Sequence, residues 1–194
     1  MNLSTPSAGN VSKLRNAIQA GNVAIETWVK SLAPGVRSDI SHKLLTECGE
    51  PSVEEFCKRV FRADLVLAAV YIRQCSFDNP AQEELDLFNA VLNLGAGVQL
   101  TDEMRKSLGQ VAKRTFKGQA FTIPALLNSL PNFSDVYFTL REAILLVASL
   151  LSKADRQVSP LEKLTLEKIN SQLPSAMQRK ESEKTPSQTG GEDA

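Results

Sequence analysis

The sequence has few of the side chains that build catalytic and metal centres. Its 194 residues include one histidine, His42, and three cysteines. Cys48, Cys57 and Cys75 are odd in number and have no C-x-x-C spacing, which favours reduced thiols over disulfides or a zinc site. A Ser-His-Asp or Cys-His pair would have to use His42. Polar residues flank that histidine on a predicted helix, so we expect it at the surface.

An excess of positive charge is also missing. The chain has 22 Lys and Arg against 22 Asp and Glu, for a formal net charge of zero. Binding to nucleic acid or to an anionic membrane depends on surplus Lys and Arg, so neither is expected as the main partner. No phosphate-binding G-x-x-x-x-G-K-[ST] or G-x-G-x-x-G loop occurs. Lys106, Lys113 and Lys117 share one face of a predicted helix, where a solvated face is favoured over a nucleic-acid site.

Long apolar runs are absent as well. The most apolar stretch, Ala143 to Leu151, is far shorter than the ~20 residues that a membrane span needs. The N-terminal segment is polar and lacks the apolar core of a secretory signal. The sequence therefore predicts a soluble, cytoplasmic protein without a membrane span.

What the sequence does contain is a helical pattern. Apolar residues recur at spacings of three and four, and no segment alternates with period two. The predicted fold class is all-α, a compact multi-helix bundle, with two related helical hairpins as a hypothesis for its halves. Gly21-Asn22 leaves open whether the first segment is one helix or two. In the helix at 81–94, Leu85, Phe88, Val91 and Leu92 are predicted to face inward. The predicted helices cover 11–32, 40–48, 52–75, 81–94, 102–116, 124–130, 134–153 and 160–172.

The ends of the chain differ from its middle. Beyond Pro174 the sequence turns polar, and such a segment buries too little apolar surface to offset the entropy of ordering. The first ten residues are similar. The predicted organisation is a flexible N-terminus (1–10), a helical domain (11–173, with N-terminal helices at 11–50 and a core at 52–173) and a disordered polar tail (174–194).

Two helices have recognisable start signals. Ser159 and Glu162 have the spacing of a capping box, in which the serine accepts from a free N–H and the glutamate reaches back. Pro160 suits the first helical position because its missing N–H leaves nothing unsatisfied. Ser52 and Glu55 repeat the signature.

Residues 67–91 and 146–169 share one pattern: an apolar helix, a turn with an aspartate, a proline, and a helix with an early glutamate. The second copy contains ASLLSKADRQVSPLEKLTLEKI, which resembles the tellurite-resistance TerB-like family. That family typically shows an apolar helix ending in Ala-Asp-Gly, a turn and a Ser-Pro/x-x-Glu helix start, in two related halves. The resemblance covers about residues 52–173. Arg156 stands at the position of the family's glycine.

The resemblance implies a compact helical bundle of bacterial origin with a stress-linked role and no established catalysis. It also implies that acidic residues at the elbows, the turns between the two helices of each hairpin, bind a divalent cation. The residues that match are Asp78, Glu83, Asp155 and Glu162, with Glu84 as an alternative to Glu83.

Physical chemistry offers two interpretations of these acids. If the elbows pack together, the carboxylates repel one another, and Ca²⁺ or Mg²⁺ would relieve that repulsion by oxygen ligation. Alternatively, an aspartate at a turn and a glutamate in a first helical turn serve as caps and dipole partners without a metal. The capping interpretation is favoured.

No constellation in the sequence predicts an enzyme. A hydrolase that uses the clustered acids is the weakest hypothesis, because general acid–base catalysis needs a pocket and a tuned pair of groups. The sequence favours a small intracellular adaptor that binds a protein partner, with a divalent cation as a further expectation. The alternative is an oligomeric structural or assembly protein that uses its N-terminal helices, including the helix of Trp28, between subunits.

Overall fold

The structure is a computed structural model that describes residues 6–75, 82–96, 101, 103, 120–154 and 158–175. Within these ranges the chain forms seven helices and no strand, which confirms the all-α class. The predicted helix at 102–116 falls outside the described residues, apart from residue 103. The helices are α1 (Pro6–Ser31), α2 (Pro34–Cys48), α3 (Val53–Arg73), α4 (Gln82–Ala96), α5 (Ile123–Ser129), α6 (Ser134–Ser152) and α7 (Pro160–Gln172).

α1 is one continuous helix, so Gly21-Asn22 does not divide it. Gly21 lies where α1 passes closest to α3 and α6. A Cβ at this position would lie 2.5 Å from a ring carbon of Phe61 and 3.0 Å from a methyl of Leu140. The glycine therefore allows the helices to cross closely. Glycine is about 1 kcal/mol less favourable than alanine within a helix, and the close packing offsets this difference.

The centre of the bundle is formed by α1, α3 and α6, since each packs against the other two. α4 packs on all three, α7 packs on α6 and α3, and the short α5 packs on the same two helices. α2 packs mainly on α3, and Leu44 is its buried residue. No described helix has both the length and the apolar character needed to cross a membrane. Large side chains buried at the centre are Leu14, Ile25, Phe61, Leu65, Ile72, Tyr137, Leu140 and Ile144.

The apolar side of α1 is covered within the chain. Trp28 meets the ring of Phe133 edge to face, with centroids 4.9 Å apart. Its indole N–H donates to the Pro131 carbonyl at 3.0 Å. The helix of Trp28 therefore packs on its own bundle. The limits of the predicted domain stay predictions, because residues 1–5 and 176–194 lie outside the described part of the chain.

Candidate functional site

Contacts between helix ends place the flanks of both elbows at one end of the bundle. Cys75, just after α3, has its sulfur 3.1 Å from the hydroxyl of Thr165 in α7. At the start of α4, Glu83 accepts a hydrogen bond from the Asn10 amide of α1 at 3.3 Å. The first turns of α4 and α7 therefore lie near the last turn of α3. We call the group Arg73, Cys75, Glu84, Glu162 and Thr165 the elbow cluster.

Two carboxylates of the elbow cluster are buried. Glu84 is 2% exposed and Glu162 is 3% exposed. An Arg73 nitrogen lies 3.8 Å from a Glu84 oxygen, so a positive charge accompanies this acid. Unpaired buried charges are costly, and the cluster therefore has the arrangement expected of a structural ionic group.

The environment of the Cys75 thiol does not favour a nucleophilic thiolate. Burial raises its pKa, the hydrogen bond with Thr165 opposes that change, and the negative charges of Glu162 and Glu84 raise it further. A raised pKa keeps the sulfur protonated at neutral pH, whereas reactive cysteines need the thiolate. Another cysteine, Cys57, is fully buried in the core, and burial raises its pKa to about 12.

Glu162 completes the predicted capping box. Its carboxylate accepts from the Ser159 backbone N–H at 2.7 Å, and its own N–H donates to the Ser159 hydroxyl at 3.2 Å. Ser52 likewise accepts from the Glu55 N–H at 3.2 Å. The predicted caps at Ser52 and Ser159 are confirmed. The sequence also predicts a cap at Ser134, and this is wrong, because the N-cap position of α6 is Phe133 and no side chain caps it.

Two of the four predicted cation ligands, Glu83 and Glu162, lie in the described part of the chain. Asp78 and Asp155 lie outside the described residues. Glu83 faces Asn10 and Glu162 faces Ser159, so each of these carboxylates has a protein donor. In the described ranges no group of three His, Cys, Asp or Glu side chains is arranged to hold a metal ion. The four-carboxylate site stays a prediction.

The inner face of α4 differs from the predicted one. Glu84, Leu87 and Val91 are buried, whereas Leu85 and Phe88 are half-buried. The predicted inner face is therefore confirmed at Val91 and Leu92 and only approximately right at Leu85 and Phe88. The missed residue is Glu84, whose spacing to Leu87 and Val91 is that of one helical face. Apolar periodicity passed over it because an acid was assumed to face solvent.

Asp64 is a further buried acid that the sequence analysis did not single out. It lies on the inner face of α3 at 2% exposure. Its carboxylate accepts from the Thr122 N–H at 2.8 and 3.1 Å and from the Ile123 N–H at 2.8 Å. These are free donors at the start of α5, whose own Thr122 side chain makes no cap. Asp64 is therefore a cap supplied from another helix.

Three large exposed apolar side chains lie on the outer face of α7 and just before its first residue. Val158 is 43% exposed, Leu161 55% and Leu164 63%. Their spacing of three residues puts Leu161 and Leu164 side by side on the helix surface. Lys168 continues this face, with its nitrogen 5.7 Å above the ring of Tyr71. We call Val158, Leu161 and Leu164 the α7 face.

His42, the single histidine of the chain, is exposed on α2 as predicted. No known protein family matches the chain, and no similar curated protein or solved structure is found. The arguments on function therefore depend on the fold and on the surfaces described above.

Proposed function

We propose that this chain is a small, non-enzymatic helical adaptor that binds a partner protein through the α7 face. The observation that carries the proposal is the concentration of exposed apolar side chains there. Of the six large apolar side chains that are exposed in the described residues, three belong to the α7 face. Single exposed leucines are ordinary on a protein surface, whereas a contiguous group is typical of an interaction site.

The surroundings of the α7 face suit an interface. Lys163, Glu167 and Lys168 are exposed beside the leucines. An apolar centre with a charged rim is the usual arrangement where two proteins meet. Glu162 and Ile169 on the opposite side of α7 are buried and fix the helix to the bundle. The leucines are therefore presented on a rigid element.

The buried ionisable groups support a binding role over catalysis. Asp64 caps α5, Glu162 caps α7, and Glu84 lies beside Arg73. Each of these groups has a structural partner that accounts for its burial. A catalytic acid or base would instead face a pocket that admits substrate.

Replacing both exposed leucines tests the proposal. We expect the double variant Leu161→Gln/Leu164→Gln to keep its free energy of unfolding within about 0.5 kcal/mol of wild type, because surface changes rarely cost more. We also expect the variant to lose the partner that co-purifies with wild type from the native host. The matched control is Leu45→Gln, a leucine 52% exposed on α2. Retention of the same partner by the folded double variant would contradict the proposal.

The oligomeric alternative places the contact on the N-terminal helices. Val23 is exposed on α1 at 47%, apart from the residues of α2. On α2, Val36 and Leu45 are exposed at 40% and 52%. They are nine residues apart, and at about 100° per residue they point to opposite sides of the helix. The apolar side of α1 is occupied by α3, α4 and α6. These helices therefore offer a smaller continuous apolar surface than the α7 face does.

The proposal also includes a divalent cation bound at the elbows and the TerB-like relationship that implies it. The support is that the Cys75–Thr165 and Arg73–Glu84 contacts bring the beginnings of α7 and α4, which carry Glu162 and Glu84, to the end of α3. The expected ion is Ca²⁺ or Mg²⁺, because both prefer oxygen ligands.

Thermal unfolding tests the cation. At a concentration fifty times its Kd, either ion should stabilise the fold by about 2 kcal/mol. The gain should be lost in Asp155→Asn and kept in Asp39→Asn, which changes charge equally on the exposed part of α2. Glu162→Gln is the weaker test, because the glutamine can keep the capping box but removes a negative charge at a helix N-terminus regardless of any ion. An unchanged melting temperature with both ions would remove the cation from the proposal.

A further inference from the structure

A groove of about 440 Å³ lies between the last turns of α1 and the first turns of α6. Trp28 and Val136 form its apolar floor, and Ser31, Asn132, Asp135 and Thr139 stand on its rim. Its volume is in the range of small-molecule sites. The elbow cluster is flanked by the opposite ends of α1 and α6, so this groove is separate from the elbows and from the α7 face.

The floor of the groove is held rigidly. The Trp28 indole N–H donates to the Pro131 carbonyl at 3.0 Å, and its ring packs edge to face on the buried Phe133. The indole therefore keeps its position and has no N–H left for a ligand. The fixed position of the indole makes the groove a preformed site, which lowers the entropic cost of binding.

The rim presents hydrogen-bond acceptors. The Ser31 hydroxyl donates to the Trp28 carbonyl at 2.7 Å, and the Thr139 hydroxyl donates to the Asp135 carbonyl at 3.3 Å. A hydroxyl has one proton, so these two groups offer lone pairs to the groove. The Asp135 side chain is an exposed carboxylate, which accepts only. Asn132 can present its amide oxygen.

The charge of the groove is negative. Among the described residues that line it, Asp135 is the charged one, and none is a Lys or Arg. The guanidinium of Arg141, two turns further along α6, points away, because it donates to the Leu173 carbonyl at 2.8 Å and to the Asn170 side chain at 2.7 Å. A ligand with N–H donors and a positive charge complements the Asp135 carboxylate and the hydroxyl lone pairs of this rim.

We propose that this groove binds a primary ammonium or guanidinium group carried on an aliphatic chain. The cation donates to the Asp135 carboxylate and to the hydroxyl lone pairs, and charge-assisted hydrogen bonds of this kind are the stronger ones. The methylene chain lies on Trp28 and Val136. Such a group occurs in a free aliphatic diamine and in the side chain of a protein lysine.

The single tryptophan of the chain lines the groove, so its fluorescence reports binding directly. At low ionic strength we expect cadaverine to change the Trp28 emission saturably, and we expect pentanol, the uncharged analogue, to leave it unchanged. Asp135→Asn should weaken cadaverine binding by about tenfold or more, the equivalent of one good interaction. Asp39→Asn on α2 is the matched control and should bind as wild type does.

A second probe identifies the source of the cation. Tighter binding of cadaverine than of N-acetyl-lysine methylamide assigns the groove to a free amine, and the reverse order assigns it to a lysine of a protein. Either order upholds the ammonium chemistry. A response that does not saturate, or equal affinity in wild type and Asp135→Asn, would overturn the inference. Loss of the partner at the α7 face would leave it unaffected.

Discussion

We expect Gly21→Ala to lower the free energy of unfolding by about 2 kcal/mol, although alanine is the better helix former. The added Cβ would lie 2.5 Å from the Phe61 ring, far inside a normal contact. Phe61 and Leu140 are both fully buried, so neither has free space to move into. Overpacking of this kind costs up to about 3 kcal/mol, and helix propensity returns about 1 kcal/mol of that. Urea denaturation of the two proteins measures the difference.

The control for Gly21 is the same substitution at Gly9, earlier in α1. A Cβ there would meet nothing within 4 Å. Gly9→Ala should therefore stabilise the protein by up to about 1 kcal/mol, through helix propensity alone. A second check is Phe61→Leu, which removes the ring that the new methyl meets. In a double-mutant cycle it should offset part of the Gly21→Ala cost. Equal effects at Gly21 and Gly9 would contradict the close crossing.

The second large effect is a pH dependence caused by Asp64. Burial raises the pKa of this carboxyl from 3.8 to about 6, although hydrogen bonds from the Ile123 and Thr122 N–H groups oppose the change. The folded protein therefore holds a proton that the unfolded chain releases as the pH rises through 4. Since the folded pKa is the higher one, the stabilisation is present at low pH and is lost as the pH rises through 6. The full difference, about two pH units, corresponds to about 3 kcal/mol.

Comparison with Asp64→Asn isolates this titration from that of other carboxylates. The variant keeps an acceptor for the free donors of α5 and has no proton to lose. From pH 4 to pH 7 we expect the free energy of unfolding of wild type to fall by about 2 kcal/mol relative to the variant. Denaturation curves at intervals of half a pH unit measure this. Parallel pH profiles of the two proteins would show that the pKa of Asp64 is not raised.

These residues show where sequence analysis succeeds and where it stops. The serine caps of α3 and α7 are local, because a cap and its partner are three residues apart, and both were predicted. The continuity of α1 could not be predicted, because Gly21 is explained by Phe61 and Leu140, which are distant in sequence. A glycine that breaks a helix and a glycine that admits a neighbour look identical in a sequence.

The buried acids illustrate the same limit. Asp64 and Glu84 can occupy inner helical faces because other segments supply their partners. The N–H groups of Thr122 and Ile123 donate to Asp64, and Arg73 lies beside Glu84. Apolar periodicity finds positions whose burial the residue itself favours, and it passes over polar residues whose burial depends on a partner. Their place in the spacing of three and four was a usable signal.

The candidate site was less predictable than the fold. Leu161 and Leu164 fit a helical apolar pattern, which predicts core positions as readily as exposed ones. The structure shows that Ile169 and Leu173 fill the core beneath α7 instead. Whether a leucine is left over at the surface depends on how much room the other helices leave, and this is a property of the whole bundle.

The most direct test of the adaptor proposal is photo-crosslinking from the α7 face in the native host. A photoreactive amino acid replaces Leu164 in the full chain, and in a separate protein it replaces Leu45 on α2. We expect a specific adduct with another protein from position 164 and none from position 45. An adduct from position 45 alone, or one from position 164 that contains only a second copy of this chain, would contradict the proposal.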